Sequence, residues 1–144
     1  MIDAIYLISR SGVPIYYFDV KKGTSEDVEK ANLFSGIVSA IQAALSKIDV
    51  GSLNFFTTKK SEIFLEATEN YVMAVVCSKE ALIDPVMIKD LMANLITAIE
   101  FHISNEGLIA IQQNTDKLVT MELSKFHSQK KESQATKKLK DSLW

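Results

Sequence analysis

The chain has 144 residues, of which 47% are hydrophobic and 24% are charged, and this composition excludes a disordered or fibrous protein. The formal net charge of −2 is unevenly divided: residues 125–144 hold six lysines and two acids, a net charge of +4, which leaves −6 for residues 1–124. An acidic body cannot offer the basic stripe that neutralises phosphates, so the composition argues against a nucleic-acid partner.

The cysteine count and the hydropathy pattern indicate where the protein works. Cys77 is the only cysteine, so no disulfide can form within the chain, and this fits a reducing cytosol. The N-terminus has no basic segment leading into a long apolar run, and no apolar stretch approaches the ~18 residues of a membrane span. We therefore expect a soluble cytoplasmic protein.

The first part of the chain predicts a hairpin followed by a helix. Residues 4–9 and 14–20 are short apolar runs rich in strand formers, with a Ser-Gly turn between them. Residues 24–27 supply the hydroxyl caps and acids of a helix start, and they predict a helix over residues 26–48. The apolar positions that follow helical spacing in this segment are Phe34, Ile37, Val38, Ile41, Leu45 and Ile48.

Three further strands are predicted over residues 52–59, 62–68 and 70–78. The connections between them are short, so they should form an antiparallel meander. Residues 4–9 and 70–78 are almost wholly apolar, as expected of strands that are buried on both faces, and both should be central. The strand at 52–59 should lie at an edge of the sheet.

The last part of the chain predicts two helices and a tail. Asp84 and Pro85 have the residue types of a cap and a first helical position, and the helix should end near residue 105. Residues 115–126 predict a third helix, although the segment KLVTMEL is also compatible with a strand. From His127 onward the chain is polar and lysine-rich, so we expect a domain over residues 1–126 and a frayed tail over 127–144.

These elements predict an α/β (α+β) fold with the order β-β-α-β-β-β-α-α. The sheet should be five-stranded and antiparallel, and helices should cover both of its faces because two strands are apolar on both sides.

The residue pattern does not indicate an enzyme. His102 and His127 lie outside metal-ligand spacing of each other and of Cys77, and no pair of carboxylates stands out for acid–base chemistry. The segment at residues 10–14 lacks the Gly-Lys-Ser/Thr end of a phosphate loop and leads into a strand. We expect no catalytic residue, no cofactor and no metal.

Two segments have features that the folding of a soluble domain does not require, and both are candidates for interactions. The predicted edge strand carries adjacent Phe55 and Phe56, which alternation sends to opposite faces; either one reaches a partner or helices cover both. The predicted interface combines this strand with residues of the first helix, and its members are Ser35, Ser39, Gln42, Ala43, Asn54, Phe55, Phe56 and Thr57.

The tail is the second of these segments. Its lysines and terminal tryptophan either form a solvated appendage or make a weak peripheral contact with an anionic membrane. The residues expected to make that contact are Lys137, Lys138, Lys140 and Trp144.

The element order and two local patterns resemble the longin family. The opening IYLISRSGVPIYYFDV resembles the longin start, and LFSGIVSAIQAAL is similar to the first helix of longin and roadblock domains. The resemblance covers about residues 2–126. Roadblock relatives place an extra helix before the first strand, for which this chain has no room, so longin is favoured. The tail is too short and too lysine-rich for a SNARE coiled coil.

The resemblance implies a non-catalytic scaffold that binds small Ras-like GTPases or pairs with other longin or roadblock domains, as a homodimer or heterodimer, in membrane trafficking or tethering. An alternative also stands, a small-molecule or lipid sensor with a cavity between sheet and helices, lined by Val75, Ile99 and Ile103.

Overall fold

The structure, a computed structural model, describes residues 2–20, 28–51, 53–79, 84–106, 115 and 117–128. It divides into two compact units, Met1–Met92 and Ala93–Trp144. In chain order the elements are β1 Ile2–Ser9, β2 Pro14–Asp19, α1 Val28–Lys47, β3 Phe55–Thr57, β4 Ser61–Ala67, β5 Tyr71–Ser78 and α2 Pro85–Glu106. Residues 117–128 form a third helix, α3.

The five strands form one antiparallel sheet in the order β2-β1-β5-β4-β3. The predicted fold class, strand number and element order are confirmed. β1 and β5 are the central strands and β3 is an edge strand, as their hydrophobic patterns predicted. The segment at residues 117–128 is a helix, so the strand alternative for KLVTMEL is wrong.

Both faces of the central strands are buried. Ile5, Tyr6, Leu7 and Ile8 are consecutive in β1, and none of them is more than 2% exposed. Since successive side chains of a strand point to opposite faces, this run shows that both faces are covered. On one face the sheet packs with α1 in a single hydrophobic cluster, whose buried members are Ala4, Tyr6, Ile8, Tyr17, Ala31, Val38, Ile63, Leu65, Val72 and Ala74.

β3 is three residues long, shorter than the predicted strand over 52–59. Its start is delayed because the end of α1 turns through left-handed backbone conformations, with φ of 57° at Asp49 and 95° at Gly51. Its other end is closed by a turn in which Thr58 N donates to Ser61 O at 2.8 Å. Ser52 lies outside the described residues.

The start of α2 follows the predicted capping pattern. Val86 N donates to Asp84 Oδ1 at 3.0 Å, and Pro85 occupies the first helical position, where its missing N–H costs nothing. In the second unit, α3 buries Val119, Leu123 and Phe126 along one side, the spacing of an amphipathic helix. α3 extends to residue 128, so the first two residues of the predicted tail over 127–144 are helical, and residues 129–144 lie outside the described residues. None of the helices in the described part of the chain has the length and hydropathy that a membrane span requires.

Candidate interaction surface

One side of α1 that faces away from the sheet is apolar. Leu33 is 66% exposed and Ile37 57% exposed, one helical turn apart. They belong to what we term the outer face of α1, whose members are Leu33, Gly36, Ile37, Ala40, Ala43 and Ala44, all exposed. Single exposed apolar residues are common, but a stripe that continues over three turns of helix is a feature of interaction sites.

The hydrogen bonds of β3 show which of its backbone groups are used within the sheet. Leu65 N donates to Asn54 O at 2.8 Å, and Thr58 N donates to Ser61 O at 2.8 Å. In an antiparallel pair, residues alternate between those bonded to the neighbouring strand and those facing away from it. Phe56, midway between Asn54 and Thr58, therefore also bonds to β4.

By the same alternation, Phe55 and Thr57 direct their N–H and C=O groups away from β4. β3 pairs only with β4, so within the described part of the chain these four groups have no hydrogen-bond partner. Phe55 is 45% exposed, and its ring lies 5.1 Å from that of Phe64 between centroids. The free edge of β3 thus consists of four backbone groups beside an exposed aromatic ring.

Gln42 of α1 fixes the segment that leads into β3. Leu53 N donates to Gln42 Oε1 at 2.8 Å, and Gln42 Nε2 donates to Leu53 O at 3.2 Å. The side-chain amide thereby bonds both backbone groups of one residue, as a neighbouring strand would. The free edge of β3 is therefore already closed at Leu53 and begins only at Phe55.

Ile37 of the outer face of α1 and Phe56 of β3 line one cleft. This cleft, of about 440 Å³, is lined by Ile37 from α1 and by Phe56 and Thr58 from β3 and the turn after it. Both elements belong to the first compact unit. We call the outer face of α1 together with Phe55–Thr57 the α1–β3 surface.

A second cleft lies at the other end of α1. It has a volume of about 600 Å³ and is lined by residues that include Arg10, Ser39 and Ser46. The β1–β2 turn approaches α1 closely here: Gly12 has φ of 91°, and a Cβ atom added to it would lie 2.8 Å from Ser39 Oγ.

The groups considered for chemistry are not clustered in the described residues. No three His, Cys, Asp or Glu side chains among them lie close enough to hold a metal ion. Cys77 is buried in β5, and His127 packs its ring edge-on against Phe126 at 5.8 Å between centroids. The side chain of His102 lies outside the described residues.

No protein-family model matches the chain, and no curated protein matches it in sequence. Its fold is similar to that of a roadblock/LC7 domain from Streptomyces avermitilis, with a TM-score of 0.55 and 16% identity over 72% of this chain and 87% of that one. It is also similar to a chain in a homology model of the full-length AP-3 complex in a stretched open conformation, with a TM-score of 0.59 and 12% identity over 96% of this chain and 98% of that one. The chain has the longin/roadblock fold.

Four of the eight predicted interface residues, Ala43, Phe55, Phe56 and Thr57, belong to the α1–β3 surface as defined above. Ala43, Asn54, Phe55 and Thr57 are exposed, whereas Ser39, Gln42 and Phe56 are half-buried. Ser35 is fully buried, so it does not lie on the surface.

The predicted interface did not include Leu33 and Ile37, the two largest apolar side chains of the outer face. The predicted periodicity assigned Ile37 to the inward stripe of α1. The structure exposes it because Ala31, Ser35 and Val38 define the inner side of the helix instead.

Neither of these clefts is the cavity that was predicted for the alternative sensor function. Val75 and Ile99 are both at most 1% exposed and line neither of them. The side chain of Ile103 lies outside the described residues.

Proposed function

We propose that this chain is a non-catalytic interaction module that pairs with a longin or roadblock domain through the α1–β3 surface and acts with small Ras-like GTPases in membrane trafficking or tethering. One observation carries the proposal: the exposed apolar face of α1 shares a cleft with an edge strand whose outward backbone groups have no partner among the described residues. The longin/roadblock fold supports the kind of partner.

Two physical costs of the free chain favour pairing at this surface. Leu33 and Ile37 keep apolar area in water, and removing it on association contributes about 25 cal/mol per Å². An edge strand with unpaired N–H and C=O groups also tends to pair with a strand of another chain, because the new hydrogen bonds satisfy the edges of both strands. Lys59 and Lys60 lie in the turn after β3, so their charges do not block the middle of the strand.

Pairing can be tested with substitutions that leave the core intact. Ile37→Lys places a charge on the outer face of α1. Thr57→Pro removes the outward N–H of residue 57, one of the four groups of the free edge. Both should lower the affinity of association by at least tenfold, measured by analytical ultracentrifugation. Val13→Lys is the matched control, since Val13 is 60% exposed and lies outside the surface. Equal association of all the variants would contradict the proposal.

The GTPase role needs a separate test. Purified small Ras-like GTPases, loaded with GDP or a GTP analogue, should be retained by the immobilised chain in one nucleotide state, and the chain alone should hydrolyse no GTP. If no GTPase is retained by the wild type, the GTPase part of the proposal fails while pairing stands on its own measurement. Turnover by the chain that disappears in a point variant would contradict its non-catalytic character.

The proposal includes a cytosolic location and a peripheral membrane contact through the tail residues Lys137, Lys138, Lys140 and Trp144. The charge of residues 125–144 supports it, because clustered lysines are attracted to anionic lipid. Sedimentation with vesicles that contain phosphatidylserine should show binding that high salt abolishes. Binding that is equal with neutral vesicles would refute the contact.

The alternative, a small-molecule sensor, is favoured by the second cleft. Its volume of about 600 Å³ falls within the usual range of ligand pockets, and its lining includes the polar residues Arg10, Ser39 and Ser46. In a thermal-shift screen of small acids and lipids, a ligand of this cleft should raise the melting temperature of the wild type, and Ser39→Ala should remove the rise.

A further inference from the structure

Two residues of opposite charge line the second cleft without pairing. Arg10, in the turn between β1 and β2, and Asp49, in the loop after α1, are both exposed and both line it. Neither makes a salt bridge with any described residue, so the two are not paired with each other. A guanidinium and a carboxylate that share a cleft in this way can bind the two opposite charges of a ligand.

The backbone holds Asp49 in a conformation that suits glycine better. α1 ends in two hydrogen bonds, from Asp49 N to Ser46 O at 3.2 Å and from Val50 N to Leu45 O at 3.3 Å. This pattern requires a left-handed residue after the helix, and φ of Asp49 is 57°. Glycine is the usual residue there, because a side chain strains the left-handed backbone. Asp49 thus lines the cleft at a cost in stability, which a binding role of its carboxylate would explain.

The turn that carries Arg10 packs on α1. Ser9 N donates to Val13 O at 2.8 Å and Gly12 N donates to Ser9 O at 3.0 Å, which closes the turn around Arg10. Gly12 lies so near α1 that an added Cβ atom would be 2.8 Å from Ser39 Oγ. The backbone at Arg10 therefore belongs to a closed turn, and such preorganisation lowers the cost of binding a ligand.

The remaining lining suits the other parts of a zwitterionic ligand. The last carbonyls of α1 give the helix end before Asp49 a partial negative charge, which favours a cation there. Ile8 and Val38 also line the cleft, and each is only 1% exposed. The apolar members of the lining are Ile8, Val38, Ala43, Ala67 and Val72. A positive group, a negative group and an apolar surface together match an α-amino acid with an apolar side chain.

We propose that the second cleft binds a free α-amino acid with an apolar side chain. Its carboxylate pairs with Arg10, its ammonium group pairs with Asp49, and its side chain lies against the apolar members of the lining. This inference rests on the small-molecule function proposed for the cleft and names the ligand class. It is independent of pairing through the α1–β3 surface.

Four probes separate the parts of this ligand. L-leucine carries all three groups, isocaproate lacks the ammonium group, isoamylamine lacks the carboxylate, and glycine lacks the apolar side chain. At equal concentration, leucine should raise the melting temperature of the full chain more than any of the other three. In a leucine titration followed by NMR, the amide signals of Arg10 and Asp49 should shift.

The probes also distinguish two kinds of failure. An equal rise with isocaproate or isoamylamine would overturn the zwitterion, while the cleft would remain a small-molecule site. No rise with any of the four probes would overturn the inference, and the wider screen of small acids and lipids would then decide the small-molecule function.

Variants of the two charged residues test the site itself. Arg10→Gln and Asp49→Asn should each weaken leucine binding by about tenfold or more in isothermal titration calorimetry, because each removes a charged hydrogen-bond partner. Lys89→Gln and Asp90→Asn remove the same charges from exposed positions of α2 that do not line the cleft, and they should bind like the wild type.

Asp49→Gly separates binding from folding. Its melting temperature should equal or exceed that of the wild type, because glycine relieves the left-handed strain, yet it should bind leucine as weakly as Asp49→Asn. Wild-type affinity in Arg10→Gln or in Asp49→Gly would show that the charge in question does not hold the ligand and would overturn the inference.

Discussion

The bond pair between Gln42 and Leu53 leads to a quantitative prediction. Gln42→Leu keeps the side-chain size and removes the two hydrogen bonds to the Leu53 backbone, at 2.8 and 3.2 Å. Each such bond contributes about 1 kcal/mol net. Leu53 is half-buried, so water replaces part of the loss, and the free energy of unfolding should fall by about 1–2 kcal/mol.

The assay combines urea unfolding with amide hydrogen exchange. For m of about 2 kcal/mol/M, the urea midpoint should fall by roughly 0.5–1 M. Exchange should accelerate most at Leu53 and at the residues of β3, because the strand loses its anchor to α1. Asn32→Leu, the same kind of change at an exposed position of α1, should leave both measurements unchanged. An unchanged midpoint and unchanged exchange in Gln42→Leu would refute the positioning role of this residue.

Three further changes have defined outcomes. Gly12→Ala should lower the free energy of unfolding by about 1–3 kcal/mol in thermal or urea unfolding, because the new Cβ would lie 2.8 Å from Ser39 Oγ and the positive φ strains any side chain. Gly51→Ala is the control for backbone strain alone, since Gly51 has a similar φ with open space around it, and it should cost less. Asp84→Ala should cost about 1 kcal/mol by removing the cap of α2, whereas Asp90→Ala on the same helix should be neutral in calorimetry. Deleting residues 129–144 should leave the melting temperature nearly unchanged and reduce sedimentation with anionic vesicles; a large loss of stability would show that the tail packs on the domain.

The strand order could be predicted from the sequence because hydrophobic patterns record burial. The nearly continuous apolar runs at residues 4–9 and 70–78 identified the two central strands, since only a strand covered on both faces carries such a run. The capping pattern at Asp84 and Pro85 likewise fixed the start of α2, because a cap depends on neighbouring residues alone.

The surface was less predictable because it depends on contacts between distant segments. The inward side of α1 is set by its crossing of the sheet, so helical spacing alone placed Ile37 inside and left Ser35 on the interface. The bonds of Gln42 to Leu53 join residues eleven apart, and no local pattern indicates them. The length of β3 followed from the left-handed turn at Asp49 and Gly51 rather than from strand propensity.

The mass of the protein in solution tests the central claim most directly. Light scattering coupled to size-exclusion chromatography, over a range of concentrations, should give twice the 16.1 kDa chain mass for the wild type at high concentration. Ile37→Lys should remain at 16.1 kDa under the same conditions, with unchanged circular dichroism. A wild type that stays at 16.1 kDa at every concentration, or a variant that dimerises equally well, would contradict pairing of two copies through the α1–β3 surface.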